Sequence, residues 1–333
     1  FRGRNIKVVG EDRETTIIDG NQNGSVVAFD NHEPNTTLLR GFTIQNGTGN
    51  IANSETRGGG IFITNGSPNL DNLIIKDNNV GIYHGGGIYI ENTGSTVNIS
   101  NSTIKNNSGF GSGIFTQREL VVNNTLIYEN TGLSRGSSVF VGMADLTFIN
   151  STLVNNINNG EIKYSGGFNI GGGGHLRLIN SIVWGNTPTN EGSSSIVITS
   201  DDHNPGLGDT VATIAYSIIE GSSNGIGYST NDTSAAYSWL DGNIATYPSF
   251  VDTANGDYRL SDLSTAIGAG AASITIDGTT YTAPTTDLDG SPRPNPAGTL
   301  PDMGAYESDK GVDPNYAGPV WYVDGPAGLP YGN

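Results

Sequence analysis

Acidic side chains close to a histidine or to one another are the residues of this sequence that could do chemistry. Asp201, Asp202 and His203 are consecutive, and carboxylates beside a histidine could act as general acid and base in glycoside hydrolysis. The three lie in a loop-like sequence, SDDHNPGLGDT, and lack a Gly-His-Gly partner because His175 stands in a Gly-Gly-His-Leu run. We therefore interpret them as solvated loop charge.

Two short acidic runs have the oxygen spacing that calcium accepts. Asp252, Asn255 and Asp257 lie in DTANGD, and Asp287 and Asp289 lie in DLDG. The same residue types are typical of Asx turns, in which the side chain bonds to its own backbone. Turns are the preferred interpretation and Ca²⁺ the alternative; no other cofactor is indicated, because the four histidines show no metal-ligand spacing.

Cleavage of an anionic polysaccharide would need several carboxylates holding Ca²⁺ beside an arginine or lysine base. Lys76 and Lys105 recur at one position, but that column continues as Tyr128, Val154, Trp184 and Glu220. The column predicts a variable surface strip. Three carboxylates within about 6 Å of an arginine or lysine on one flank would instead favour an enzyme, because catalysis needs convergent groups.

A repeated pattern covers most of the chain and must position any such residues. Its first part is glycine-rich and apolar, as in GGGIFI, GGGIYI, GSGIFT and GSSVFV. The leading apolar residues are 25 to 29 positions apart: Ile61, Ile88, Ile114, Val139, Phe168 and Ile196. Its second part, as in LIIKDN, ends at an asparagine: Asn78, Asn107, Asn130, Asn156 and Asn186. Two markers with one period indicate a repeat protein.

Each repeat contains short, β-branched, alternating runs separated by Gly, Asn and Ser, which are typical of strands. A third alternating run lies between the two markers, at Val97 and Ile99, Val122, Leu146 and Phe148, and Leu176 and Leu178. Three strands in fewer than about thirty residues are too few for a propeller blade. The pattern predicts an all-β fold, a right-handed parallel β-helix with three strands per coil and stacked apolar columns inside.

Asparagines mark the turns. Asn101, Asn124, Asn150 and Asn180 each precede a Ser or Thr and a new strand. Asparagine tolerates the left-handed backbone of a sharp bend, and its amide can bond the asparagine one coil away. These four residues predict a structural turn ladder, and the asparagines that close each repeat predict a second one.

The GGGI and apolar-x-x-Asn units resemble the GGAI and FxxN repeats of polymorphic outer membrane proteins. More broadly, the chain resembles the pectate-lyase-like right-handed parallel β-helices of secreted bacterial proteins. This resemblance implies the fold and export. It does not imply one activity, because the scaffold carries lyases, hydrolases, adhesins and inert stalks.

The C-terminal sequence no longer follows the repeat pattern. It contains NIATYPSFVD, then GDYRLSDLSTAIGAGA and then TDLDGSPRPNPAGTLPDMGAYE. It resembles the end of secreted β-helix proteins of the choice-of-anchor type, with Gly268 where that family usually has Asp. The resemblance implies surface display. We expect coils over 1–235, C-terminal coils and a cap over 236–307, and a linker over 308–319. A strand-like segment follows at 320–333, as the start of a next module or as an inter-subunit strand.

The composition narrows the range of expected binding partners. The net charge of −17 argues against nucleic acid as a binding partner. The sequence has no cysteine and no apolar run long enough for membrane insertion. Trp321, Tyr322 and Val323 have strand character, so copies of the chain or adjacent β-helix modules are the expected partners, with glycans as further candidates.

Together these features predict a non-catalytic, exported structural or adhesive module of a bacterial cell surface or extracellular assembly. It would polymerise head-to-tail into a filament through 320–333. The alternatives are a carbohydrate-active enzyme, either a polysaccharide lyase or a glycoside hydrolase, and a glycan-binding module.

Overall fold

The computed structural model describes residues 1–52, 54–91, 94–133, 136–160, 165–188, 195–199, 209–228 and 235–311. Within these ranges the regular structure is short β-strand, apart from two 3-10 turns at Ser222–Gly225 and Thr253–Asn255. None of the described residues forms a helix long and apolar enough to cross a membrane. The predicted all-β class is confirmed.

Strands of successive repeats pair in parallel in three long sheets. Sheet 1 comprises Lys7–Val9, Leu38–Arg40, Asn69–Asp71, Val97–Ser100, Leu120–Asn123, Asp145–Ile149, His175–Ile179, Thr210–Ala215 and Ala235–Trp239. Sheet 2 comprises Ile17–Asp19, Thr43–Gln45, Ile74–Lys76, Thr103–Lys105, Leu126–Tyr128, Thr152–Val154, Ile182–Trp184 and Ile218–Ile219. Sheet 3 comprises Val27–Phe29, Ile61–Thr64, Ile88–Glu91, Ile114–Thr116, Val139–Gly142, Phe168–Gly171, Ile196–Thr199 and Ile226–Tyr228. This pairing confirms the parallel β-helix.

A fourth row, the short sheet, joins sheet 2 to sheet 3 and is additional to the three predicted strands per coil. It comprises Asn50–Ala52, Glu55–Arg57, Asn79–His84, Ser108–Phe110, Thr131–Gly132, Ile157–Asn158 and Thr187–Pro188. Most of its strands are two or three residues long and rich in Ser, Thr, Asn and Gly, so they carry no apolar alternation that would predict a strand. At one edge, Asn50–Ala52 and Glu55–Arg57 form an antiparallel hairpin.

The predicted apolar columns form the core. Ile88 pairs with Ile61 on one side and with Ile114 on the other. The column continues through Val139 to Phe168, and these five side chains are fully buried. Each coil therefore adds one layer of like residues to a close-packed interior.

The asparagines that close each repeat form a continuous buried ladder. The side-chain amide Nδ2 of Asn78 donates to Oδ1 of Asn107 at 2.9 Å, and this bond recurs coil by coil to Asn130, Asn156 and Asn186 at 2.8–3.0 Å. Each of these Oδ1 atoms also accepts the backbone N–H of the preceding asparagine in the column at 3.0–3.1 Å. The ladder thus satisfies polar groups that an apolar side chain would leave unpaired inside the protein.

Replacing Asn130 with alanine is expected to lower the free energy of unfolding by about 1–3 kcal/mol, because two donors of Asn107 lose their acceptor and the carbonyl of Ile104 loses a donor. Chemical denaturation measures the change. Asn23→Ala is the matched control, because Asn23 is exposed and should change stability by less than about 0.5 kcal/mol. Equal effects at the two positions would contradict a stabilising role for the ladder.

Residues 243–311 are here called the strap, and the predicted division into C-terminal coils and a cap over 236–307 stays a prediction. In the described chain, parallel pairing ends at the bridge between Ile218 and Ile244. The strap then forms two antiparallel pairs, Phe250–Asp252 with Asp257–Leu260 and Ser273–Ile276 with Thr279–Thr282. The sequence of the strap lacks the repeat period of about 27 residues that marks the coils. The strap therefore cannot add layers to the apolar columns of the core.

The strap instead covers the outer face of sheet 2. The buried apolar residues of the strap that contact this face are Phe250, Tyr258, Ala266, Leu288, Met303 and Ala305, and they pack with Leu126, Tyr128, Val154, Ile182 and Ile218. The predicted surface strip through Tyr128 and Val154 is therefore wrong, because both residues are buried. An apolar sheet face must be covered by a second layer, and the strap provides it.

Candidate functional site

Three of the four asparagines predicted to form a turn ladder, Asn124, Asn150 and Asn180, lie where the strap meets the coils. Asn101, Asn124, Asn150 and Asn180 all have φ between 43° and 51°. Amide bonds join Asn124 to Asn101 at 3.2 Å and Asn180 to Asn150 at 3.1 Å. Asn124 and Asn150, which separate these two pairs, both donate a side-chain amide hydrogen bond to the strap. Asn150 Nδ2 donates to the carbonyl of Asp302 at 3.0 Å. This column therefore also serves as the docking line of the strap.

Asn124 and Asn180 make further contacts along that line. Asn124 Nδ2 donates to the carbonyl of Thr286 at 2.6 Å, and Asn180 Nδ2 donates to that of Ala271 at 2.8 Å. The backbone N–H of Gly304 donates to the carbonyl of Asn180 at 2.7 Å. The strap is thus hydrogen-bonded to three successive coils as well as packed on them.

A buried ionic cluster, here called the latch, fastens the strap at this line. It consists of Arg293, Glu307, Asp302 and Asp287. Arg293 Nε lies 2.9 Å from Glu307 Oε2, and both side chains are fully buried. The guanidinium also donates to Asn124 Oδ1 at 3.2 Å, on the coil side of the boundary. Arg293 is therefore the charged group that links the strap to the coils.

Backbone N–H groups of the strap donate hydrogen bonds to the carboxylates of the latch. Glu307 accepts from Asn295 and Asp302, both at 3.1 Å. Asp302 accepts from Gly268 at 2.7 Å and from Ser308 at 2.6 Å. Gly268 is the position where the choice-of-anchor resemblance usually has Asp, and here its backbone, with φ at 60°, supplies the contact.

Asp287 completes the latch. Its Oδ1 accepts the N–H groups of Asp289 at 3.0 Å and Ser291 at 2.8 Å, and its Oδ2 accepts that of Glu307 at 2.9 Å. Each carboxylate therefore holds a turn of the strap.

The latch carries three carboxylates and one guanidinium, so full ionisation would bury two uncompensated negative charges. Burial raises the pKa of Asp302 to about 6 and that of Glu307 to about 7. The latch contains three carboxylates and an arginine, which is the combination of residues that would favour an enzyme. However, its side chains are buried and already bonded, so its groups stabilise the docked strap.

The calcium candidates are largely engaged with one another or with arginine. Asn255 Nδ2 donates to Asp252 at 2.6 Å, and Arg259 contacts Asp257 at 3.3 Å and Asp289 at 2.9 Å. Asp257 also accepts the N–H of Arg259, as in an Asx turn. Among the described residues, no group of three or more His, Cys, Asp or Glu is placed to hold a metal ion. Calcium binding stays a prediction.

A stack of aromatic rings lies on the outer face of sheet 3. The centroid distances along Phe62, Tyr89, Phe115 and Phe140 are 5.7, 5.3 and 4.7 Å. The first three rings are buried, whereas Phe140 is only partly buried. The repeats signal this column in the residue after each leading apolar one, as in GGGIFI and GGGIYI.

An ionic group borders this stack and fastens the hairpin of the short sheet. Arg57 contacts Glu55 at 2.8 Å, Glu91 at 3.1 Å and the Tyr89 hydroxyl at 2.8 Å. Burial and the hydrogen bond to Glu91 raise the pKa of Tyr89. Burial lowers the pKa of His84, whose Nδ1 lies 3.4 Å from Glu55. Both carboxylates contact the same guanidinium, so the group joins the hairpin to sheet 3.

An open groove of about 400 Å³ lies where the strap passes the last described strand of sheet 1. Its lining residues are Tyr216, Trp239, Leu240, Asp241, Ser273 and Ile274. Trp239 pairs with Ile214 in sheet 1 and packs against the core. The groove thus combines aromatic and aliphatic surface with one carboxylate.

Two predicted groups lie outside the described residues. They are the acidic loop Asp201, Asp202 and His203, and the assembly residues Trp321, Tyr322 and Val323.

No protein-family model matches the chain, and a comparison with curated proteins finds no match. Among solved structures, the chain is similar to one titled as the crystal structure of pectate lyase Pel9A. Sequence identity is 16% and the TM-score 0.38, over 84% of this chain and 72% of that chain. The present chain is classified as a parallel β-helix by the pairing of its strands, independently of that comparison.

Proposed function

We propose that this chain is a non-catalytic, exported structural or adhesive module of a bacterial cell surface, and that it binds a glycan in the groove beside Trp239. The resemblance of its repeats to polymorphic outer membrane proteins, and of its C-terminal text to proteins of the choice-of-anchor type, supports export and display. Contact with copies of itself or adjacent modules through 320–333 stays part of the proposal.

The use of the carboxylates carries the non-catalytic part of the proposal. General acid–base catalysis needs a carboxyl group that can reach a substrate and exchange a proton with it. The latch carboxylates accept hydrogen bonds from backbone N–H groups of the strap. Glu55 and Glu91 pair with Arg57. In both clusters the charged groups thus fasten one element of the fold to another.

The groove supports a glycan as the ligand. Aromatic rings such as those of Tyr216 and Trp239 offer apolar faces on which the C–H side of a sugar ring can pack. Asp241 offers a charged acceptor for hydroxyl groups. A volume of about 400 Å³ lies within the range of small-ligand sites and suits a few sugar units of a longer chain.

Binding to a panel of soluble neutral and acidic polysaccharides, followed by affinity electrophoresis and calorimetry, tests the proposal. We expect retardation by at least one polysaccharide and a loss of about tenfold or more in affinity for Tyr216→Ala and Asp241→Ala, corresponding to about 1.4 kcal/mol. Tyr228→Ala is the matched control, because Tyr228 is exposed and does not line the groove. Equal retardation of all variants would contradict the groove as the site, and cleavage of a bound polysaccharide would favour the enzyme alternative.

A further inference from the structure

The latch joins the strap to the coils, and burial raises the pKa values of two of its carboxylates, Asp302 and Glu307, to about 6 and about 7. The side chains of Glu307 and Arg293 are fully buried, Asp302 is fully buried, and Asp287 is almost so. Arg293, which pairs with Glu307, also donates to Asn124 Oδ1 on the coil side. A change in the charge of Glu307 therefore acts at the boundary itself.

We propose that the latch is a pH-sensitive fastener that holds the strap on sheet 2 more tightly in mildly acidic than in alkaline solution, while the coils stay folded.

The excess of carboxylates gives the direction of this effect. Three carboxylates share one guanidinium, and the raised pKa values of Asp302 and Glu307 mean that the docked strap binds protons as the pH falls from about 8 to about 5. In a released strap the same groups would have ordinary values near 4 and would stay ionised over that range. Proton uptake by the docked state alone stabilises docking at the acidic end, and this stabilisation is lost as the pH rises through 6 to 7.

The boundary also contains other charged and titratable groups. Tyr306 has a pKa raised mainly by burial, with Asp289, Arg259, Arg13 and Tyr128 as its ionisable neighbours. Among the latch groups, Asp302 and Glu307 have pKa values raised into this window.

Release of the strap alone is consistent with how the two parts are held. The coils share one continuous apolar core, whereas the strap belongs to a separate, smaller cluster against the outer face of sheet 2. Opening the strap therefore leaves the interior columns and the asparagine ladder intact. Such sub-global opening is common for elements that pack on a larger core.

Native-state hydrogen exchange of the intact chain at pH 5.5 and pH 8.5 tests the proposal, with rates divided by those of unstructured peptides at the same pH. The amides of Leu288, Met303 and Gly304 report the strap, because they donate within it or to the coils. Asn130 reports the coils. We expect strap protection to be about tenfold or more lower at pH 8.5, since one pKa unit of linkage is tenfold in the opening constant. Protection at Asn130 should be unchanged.

Glu307→Gln should flatten this pH profile by removing a titrating group. Asp262→Asn, on the strap but exposed and outside the latch, should keep the wild-type profile. If Glu307→Gln prevents docking at both pH values, Asp302→Asn takes its place. Strap protection equal at both pH values within twofold, a parallel loss at Asn130, or a wild-type profile in the docked latch variant would each overturn the proposal.

Discussion

Replacing Ile114 with aspartate is expected to unfold the coils on both sides of it. Ile114 is fully buried and pairs with Ile88 and Val139 in the central column of sheet 3. A carboxylate there would lie among apolar side chains without a partner for its charge. We expect a loss of about 4 kcal/mol or more in the free energy of unfolding, measured by chemical denaturation.

The same substitution at an exposed isoleucine is the control. Ile82 is 62% exposed, so Ile82→Asp should change the free energy of unfolding by less than about 0.5 kcal/mol. Ile114→Val should cost about 0.5–1.5 kcal/mol, because it removes one buried methylene without adding charge. If Ile114→Asp unfolds at the same denaturant concentration as the parent, the register of the columns is wrong.

Replacing Arg293 with methionine is expected to release the strap. The substitution leaves Glu307 buried without its cation and removes the donor to Asn124 Oδ1 and to the carbonyl of Gly304. Removing one partner of a buried ion pair costs about 3–5 kcal/mol. We expect that loss in strap stability, measured by hydrogen exchange at Leu288 and Gly304, with smaller changes in the coils.

Arg259→Met is the matched control on the same strap. Arg259 also pairs with carboxylates, Asp257 and Asp289, but its side chain is 55% exposed. Exposed ion pairs contribute about 1 kcal/mol or less, so its loss should be small. Similar effects of Arg293→Met and Arg259→Met would show that the buried latch contributes no more than a surface pair.

The coils could be predicted because one physical requirement repeats. Ile61, Ile88 and Ile114 must face the same interior from equivalent positions, so their spacing specifies both the strand and its register. The closing asparagines recur for the same reason, since each bonds its equivalent in the next coil. A repeated contact leaves a periodic trace in the sequence.

The strap and its site could not be predicted in this way, because each of their contacts occurs once. Arg293 meets Asn124 across 169 positions of sequence, and no second copy of that pair exists in the repeats to mark it. The outward residues Tyr128 and Val154 vary because they fit the strap, so their column resembled variable surface. Asp302 and Glu307 lie in the C-terminal sequence that resembles choice-of-anchor proteins, and that resemblance does not state their role in the latch.

The most direct test of the central claim, that this β-helix uses its carboxylates for structure and does not cleave glycans, is a depolymerisation measurement. The intact chain is incubated with each polysaccharide that it retains, with Ca²⁺ and with chelator, from pH 5 to 9. New reducing ends and the ultraviolet absorbance of unsaturated products report hydrolysis and elimination. We expect no product above that of the heat-unfolded chain under any condition. Product that accumulates with the intact chain and is lost on changing Glu55, Glu91 or the latch carboxylates, in variants that remain folded, would contradict it.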